Sequence, residues 1–228
     1  ASSPKGEELP LVRPHCCVQI AGCCTSHLHS CQPLNQPRHK HEMLRAGIPF
    51  LPGRKPGEYL THREADEAVA LIRQWKDRPF FIQLSHYAVH TPIQAIDAVA
   101  AKYRDEGHSE ANAKYAAMVE SVDDSTRAIL STLTELGIDD QTMVIFTSDN
   151  GGLDNGGNPT ENAPLRSGKG YPYEGGIRVP LLVRWPGVVP PGTTSEEPAC
   201  SIDLFPTVLE AVGAKLPEDR DIDGLSLL

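Results

Sequence analysis

Past about Gly57 the apolar positions repeat with the periods of a folded α/β protein. Ala65, Ala68, Val69, Ile72 and Trp75 recur at three- and four-residue spacing and predict one amphipathic helix. Thr61-His62-Arg63-Glu64 reads as a T-x-x-E capping box at its start, and Pro79 lies where the helix has to have ended. Phe80-Phe81-Ile82-Gln83-Leu84 predicts a short buried strand that runs into a polar loop from Ser85 to Pro92. A second helix is expected over about Ile96 to Tyr103. A long third one runs from about Ala111 to Leu136, with Tyr115, Met118, Val119, Val122, Ile129 and Leu133 on its buried face and Gly137 as its stop. Met143 to Thr147 is the most strand-like run in the chain. A glycine- and asparagine-rich loop follows, then an apolar strand from Val179 to Trp185, a Pro186-Gly187 turn, and a helix over Asp203 to Val212. Strands alternating with helices predict an α/β layer fold with a largely parallel sheet.

Residues 1–50 carry no such period. Five of the six cysteines (Cys16, Cys17, Cys23, Cys24, Cys31) fall there, with prolines and His15, His27, His29, His39 and His41. The spacing fits no C-x-x-C zinc pattern. This stretch is therefore read as an irregular Cys/His/Pro-rich segment outside the fold, with the folded unit over 57–228. A hydrophobic content of 39% and a charged content of 22% suit an ordinary globular protein. The formal net charge of -9 argues against a nucleic-acid partner, which would favour a basic stripe. No apolar run approaches the roughly 18 residues of a membrane span. Ala1 to Pro10 show no basic-then-apolar leader pattern.

Ligands of open α/β sheets bind beyond the carboxyl ends of the strands. Ser148-Asp149-Asn150-Gly151-Gly152 sits at such an end. Asp149 and Asn150 offer hard oxygen donors suited to Ca²⁺ or Mg²⁺ rather than zinc, although D-N-G-G is equally an ordinary turn. Leu165-Arg166-Ser167-Gly168-Lys169-Gly170 adds two cations in a glycine-rich loop, where Lys169 is a compact donor for an oxyanion. Glu174 is read as a brace for the loop and Arg178 as its ion-pair partner. His90 follows a buried strand at the same edge of the sheet, where an imidazole can donate to an anion or act as a general acid, or else be tied down by the Thr91-Pro92 turn. His86 is a loop histidine with the weaker case.

Five segments in fixed order resemble the sulfatases of the alkaline-phosphatase-like superfamily: Pro79–Pro92, Tyr115–Asp124, Val144–Gly152, Leu165–Pro180 and Ser201–Leu209. Asp223-Gly224-Leu225-Ser226-Leu227 also resembles the family's D-G-x-S-L segment. The resemblance implies a three-layer α/β/α sandwich around a mostly parallel mixed sheet, of which this chain is expected to carry the C-terminal part of the catalytic domain. It implies calcium-dependent hydrolysis of a sulfate ester, with Asp149 and Asn150 as metal ligands. Lys169 and His90 are implied as catalytic and sulfate-binding residues. It implies a cysteine-derived formylglycine as nucleophile, a small-molecule or carbohydrate sulfate ester as substrate, and favours a periplasmic or secreted location.

The family's nucleophile motif is C-x-P-x-R. The nearest stretch here, Cys31-Gln32-Pro33-Leu34-Asn35, has Asn in place of Arg and lies too close ahead of His90. Cys31 is therefore not assigned, and the paired aspartates of the family's first strand have no match. The remaining readings are a phosphate or phosphonate ester hydrolase of the same superfamily, and a non-catalytic or truncated remnant. The chain alone is expected to turn over substrate poorly.

Overall fold

A computed structural model describes residues 16–22, 57–154 and 159–228. Four strands form one sheet in the order β2-β1-β3-β4: β1 (Cys16–Gly22), β2 (Phe80–His86), β3 (Thr142–Ser148) and β4 (Leu181–Arg184). β1 lies parallel between β2 and β3, with Val18 level with Ile82 on one side and Val144 on the other. β4 adds antiparallel to β3, Ile145 facing Val183. The helices are α1 (Leu60–Trp75), α2 (Asp97–Asp105), α3 (Glu110–Glu135), the single turn α4 (Glu174–Ile177) and α5 (Leu204–Val212).

Side chains of a strand point alternately to its two faces, and parallel register stacks like with like. Cys16, Val18 and Ile20 thus share a face with Phe80, Ile82, Leu84 and Val144, packed on Ala68 and Ile72 of α1 and on Ile129 and Leu133 of α3. Cys17, Met143 and Ile145 face the other way, onto Trp185 and onto Leu204 and Ala211 of α5. Helices on both faces of the sheet make three layers. Among the described residues no helix is long and apolar enough to cross a membrane.

The strand β1 corrects the expectation that residues 1–50 lie outside the fold: Cys16–Gly22 form a central strand. A strand buried on both faces needs no polar-apolar alternation. Its two cysteines act as small apolar fillers, exposed by only 3% and 1%. Burial pushes the Cys17 thiol up to about 12 and raises that of Cys16. Cys23, Cys24, Cys31 and the histidines His15, His27, His29, His39 and His41 lie outside the described residues.

Other boundaries shift for local reasons. The T-x-x-E box does not cap α1, which starts from Tyr59 without a side-chain cap. Glu64 instead turns inward and bonds Nδ1 of His86 at 2.8 Å. The helix α3 starts one residue earlier than expected because Ser109 caps it, accepting from the Asn112 amide at 3.3 Å. Gly137 ends it as expected. At φ 66° it lets its own N–H reach the Thr134 carbonyl and the Ile138 N–H reach that of Leu133. Val119 is 46% exposed, and the inner face is completed instead by Ala113, Ala117, Ser121, Ser125 and Thr132.

At the C-terminus the Asp223–Leu227 segment docks on α5. The Asp203 carboxylate accepts the N–H groups of Cys200 and Leu225 at 2.7 and 2.8 Å, which holds its pKa below the usual carboxylate range. A side chain on Gly224 would meet the Ile202 carbonyl at 2.1 Å, so only glycine allows that approach.

Candidate functional site

The shared register places the chemistry-bearing loops on one edge. His86 of β2 and Ser148 of β3 are both level with Gly22 of β1. The loop to His90 and the loop through Asp149 therefore leave the sheet at the same carboxyl edge, two strand spacings apart, or about 10 Å.

Beyond β3 the chain forms a knot of three segments held almost entirely by backbone. Gly151 N–H donates to the Gly176 carbonyl, Lys169 N–H to that of Gly152, and Gly175 N–H to that of Arg166, each at 2.9 Å. Glycine is required at these crossings. A side chain on Gly151 would meet the Gly175 carbonyl oxygen at 1.8 Å, and one on Gly175 that of Ser167 at 1.9 Å. Ser167 itself has φ 64°, a left-handed conformation uncommon for a residue with a side chain. Asn162, which the sequence pattern did not single out, ties the knot: its side chain bonds the backbone of Gly152 on one segment and of Ser167 on another. The signal was an asparagine inside a glycine loop whose carbonyls need donors.

Three cations enter this loop system. The Arg166 guanidinium lies 3.7 Å from the centre of the Tyr173 ring. Arg178 pairs with Glu174 at 3.2 Å, as the sequence suggests, on an exposed turn. Lys169 is half-buried, and its ammonium makes no hydrogen bond or ion pair among the described residues. Asp149 is exposed and Asn150 half-buried, in the same loop as Gly152 and hence one backbone bond away from Lys169. Oxygen donors of this kind fit a hard dication, but calcium takes six to eight oxygens. No group of three or more His, Cys, Asp or Glu among the described residues could hold a metal. Asp149 and Asn150 alone therefore make part of a calcium site at most.

The His90 loop is held independently. The Thr91 carbonyl lies 2.6 Å from Nδ1 of His90, and a carbonyl can only accept, so Nδ1 carries the proton. Nε2 is the ring nitrogen left to meet a ligand. Tyr87 braces the loop through its hydroxyl, which donates to the same carbonyl at 2.6 Å.

His86 is no loop residue. It ends β2 at 0% exposure, with Nδ1 on Glu64 and Nε2 2.9 Å from the Ser125 hydroxyl. Serine, histidine and carboxylate in a row resemble a nucleophilic triad. Ser125 is only 1% exposed inside α3, however, so no substrate reaches it. The row joins α1, β2 and α3 and keeps the buried His86 and Ser125 satisfied through the half-buried Glu64.

The sulfatase family model matches residues 23–214. The chain belongs to the sulfatase family. It is 40% identical to rat steryl-sulfatase over 185 residues, covering 76% of this chain and 30% of that protein. It is 37% identical to a sulfatase of Formosa agariphila over 221 residues, covering 86% of this chain and 39% of that one. The crystal structure of Ps i-CgsB in complex with k-i-k-neocarrahexaose superposes with a TM-score of 0.70 at 27% identity, over 93% of this chain and 53% of the other. The fold is thus the three-layer sandwich of the sulfatases, with four strands of the sheet described here. The chain spans well under half the length of these two sequence relatives.

Proposed function

We propose that the chain supplies one side of a catalytic centre that hydrolyses a sulfate ester. The observation that carries this reading is Lys169. In a chain of the sulfatase family, a half-buried lysine whose ammonium has no partner among the described residues has its backbone fixed beside the Asp149–Gly152 loop by a 2.9 Å bond. An unpaired cation in a partly dehydrated loop favours an anion over water. In the proposed reaction a nucleophile from outside the described residues bonds to sulfur as the ester S–O bond breaks, and the Lys169 ammonium offsets charge on the sulfuryl oxygens. His90, with Nδ1 held by Thr91, contacts the sulfate through Nε2. As an imidazolium it carries a second proton on Nε2 and donates that one to the leaving oxygen, while the Nδ1 proton stays on the Thr91 carbonyl.

Calcium belongs to the same proposal, with Asp149 and Asn150 as two of its ligands; it would neutralise sulfate charge when bound. The formylglycine nucleophile expected of the family has no counterpart among the described residues. The substrate class is a small-molecule or carbohydrate sulfate ester. The names of the relatives, steryl-sulfatase and N-acetylgalactosamine-6-sulfatase among them, support that breadth. A periplasmic or secreted location rests on the resemblance alone.

Calorimetric titration with inorganic sulfate tests the reading. Lys169→Ala should weaken binding by about tenfold or more, the equivalent of one charge-assisted hydrogen bond of about 1.5–3 kcal/mol. Lys215→Ala, far along the chain after α5, should leave it unchanged. Equal affinity in wild type and Lys169→Ala would sink the proposal.

A further inference from the structure

We infer that Asn162 is a positioning residue that sets the spacing between the Asp149–Asn150 loop and Lys169; the inference rests on the proposed sulfate site. Asn162 lies between the two segments and bonds both. Its Oδ1 accepts the Gly152 N–H at 3.1 Å, and its Nδ2 donates to the Gly152 carbonyl at 2.9 Å and to the Ser167 carbonyl at 3.1 Å. Only this orientation of the amide gives every contact a donor and an acceptor.

The two carbonyls it holds are informative. The Gly152 carbonyl, two residues after Asn150, also accepts the N–H of Lys169 and, at 3.1 Å, that of Asp154. The Ser167 carbonyl lies two residues before Lys169, and Ser167 is the residue held at φ 64°. One side chain therefore fixes the backbone on both sides of the gap between the candidate metal loop and the candidate anion ligand. Packing leaves no substitute. A side chain on Gly168 would meet the Gly152 carbonyl at 2.4 Å and Asn162 Nδ2 at 2.7 Å, so the segments are already at backbone contact. Aspartate in this place keeps one acceptor and loses both donations, and alanine loses all three bonds. A shift of about 1 Å between groups that act on one ligand is enough to lose much of their joint effect.

The experiment combines backbone amide exchange with sulfate titration on the full chain. In Asn162→Ala the amides of Gly152 and Lys169 should exchange at least about tenfold faster while that of Ile145 in β3 keeps its protection. Inorganic sulfate affinity should fall about tenfold. In the Lys169→Ala background the same substitution should cause no further loss, because a positioning residue acts through the group it positions. If Asn162→Ala does not fold, the uncharged Asn162→Ser carries the same cycle without adding a charge beside Lys169. Unchanged exchange at Gly152 and Lys169 overturns the clamp. An additive loss in the cycle, or full sulfate affinity in a variant with fast exchange, overturns the positioning role. Absence of sulfate binding by the wild type would instead sink the proposed function and leave the clamp to be judged by exchange alone.

Discussion

The sheet core and the loop knot beyond it are built on opposite principles. In the core around β1, side chains do the holding: Val18, Ile20, Ile72, Ile129 and Leu133 are fully buried and interlock across strand and helix. In the knot from Asp149 to Arg178, side chains are mostly absent where segments cross, and peptide groups bond peptide groups with Asn162 as the exception. The core therefore fails when atoms are removed, and the knot fails when atoms are added. The first region supplies stability. The second holds the Lys169 backbone beside the Asp149–Gly152 loop, where a substitution is expected to cost position more than stability.

Three substitutions probe that contrast, in falling order of effect. Ile20→Ala removes a fully buried side chain from the central strand and should destabilise by about 2–5 kcal/mol in chemical denaturation. A loss under 1 kcal/mol would mean that β1 is not central to the core. Gly151→Ala forces a methyl group against the Gly175 carbonyl and should destabilise by about 1–3 kcal/mol, below the core truncation. Sulfate affinity, which the core variant should spare while folded, should be lost with it. Comparable sulfate binding in the two folded variants would erase the distinction drawn here. His86→Ala leaves Glu64 and Ser125 without their partner and should lose about 1–3 kcal/mol. An unchanged denaturation midpoint would show that water replaces the imidazole without loss.

Cys17 offers a pH test of the core. Its ordinary thiol value of 9.0 is pushed up to about 12 by burial, so the folded state favours the neutral thiol. A raised acid pKa contributes stability that is fully present below about 9 and is lost as pH rises toward about 12. The denaturation midpoint should therefore fall across that window in wild type, and fall less in Cys17→Ala relative to its own neutral-pH value. At neutral pH a thiol reagent should label exposed Cys200 promptly and Cys16 and Cys17 only on unfolding. Prompt labelling of all three would contradict the placement of β1.

The same contrast explains what could be read from the sequence. Amphipathic helices such as α1 and α3 announce themselves through spacing, because a period survives in the order of residues. The strand β1 did not, because it is buried on both faces, two of its core positions are cysteine, and its neighbours in sequence carry no period. Lys169, Asp149, Asn150 and His90 were legible as candidates from motif order. The Arg178–Glu174 pair was readable at four-residue spacing. What spacing could not tell was that Arg166 is engaged on the Tyr173 ring, and Lys169 stands out among the three cations only once that contact is known. His86 was misread because a strand end and a loop start look alike in sequence. The role of Asn162 depends on carbonyls that no side-chain pattern records.

If the knot, through Lys169, meets a tetrahedral oxyanion at the carboxyl edge of the sheet, crystals of the chain soaked in selenate, a sulfate isostere with a strong anomalous signal, should show it. A selenium peak is expected with oxygens within hydrogen-bond reach of Lys169 Nζ and on the side from which His90 Nε2 approaches. A selenate bound elsewhere on the surface, with Lys169 left without an anion, would contradict it.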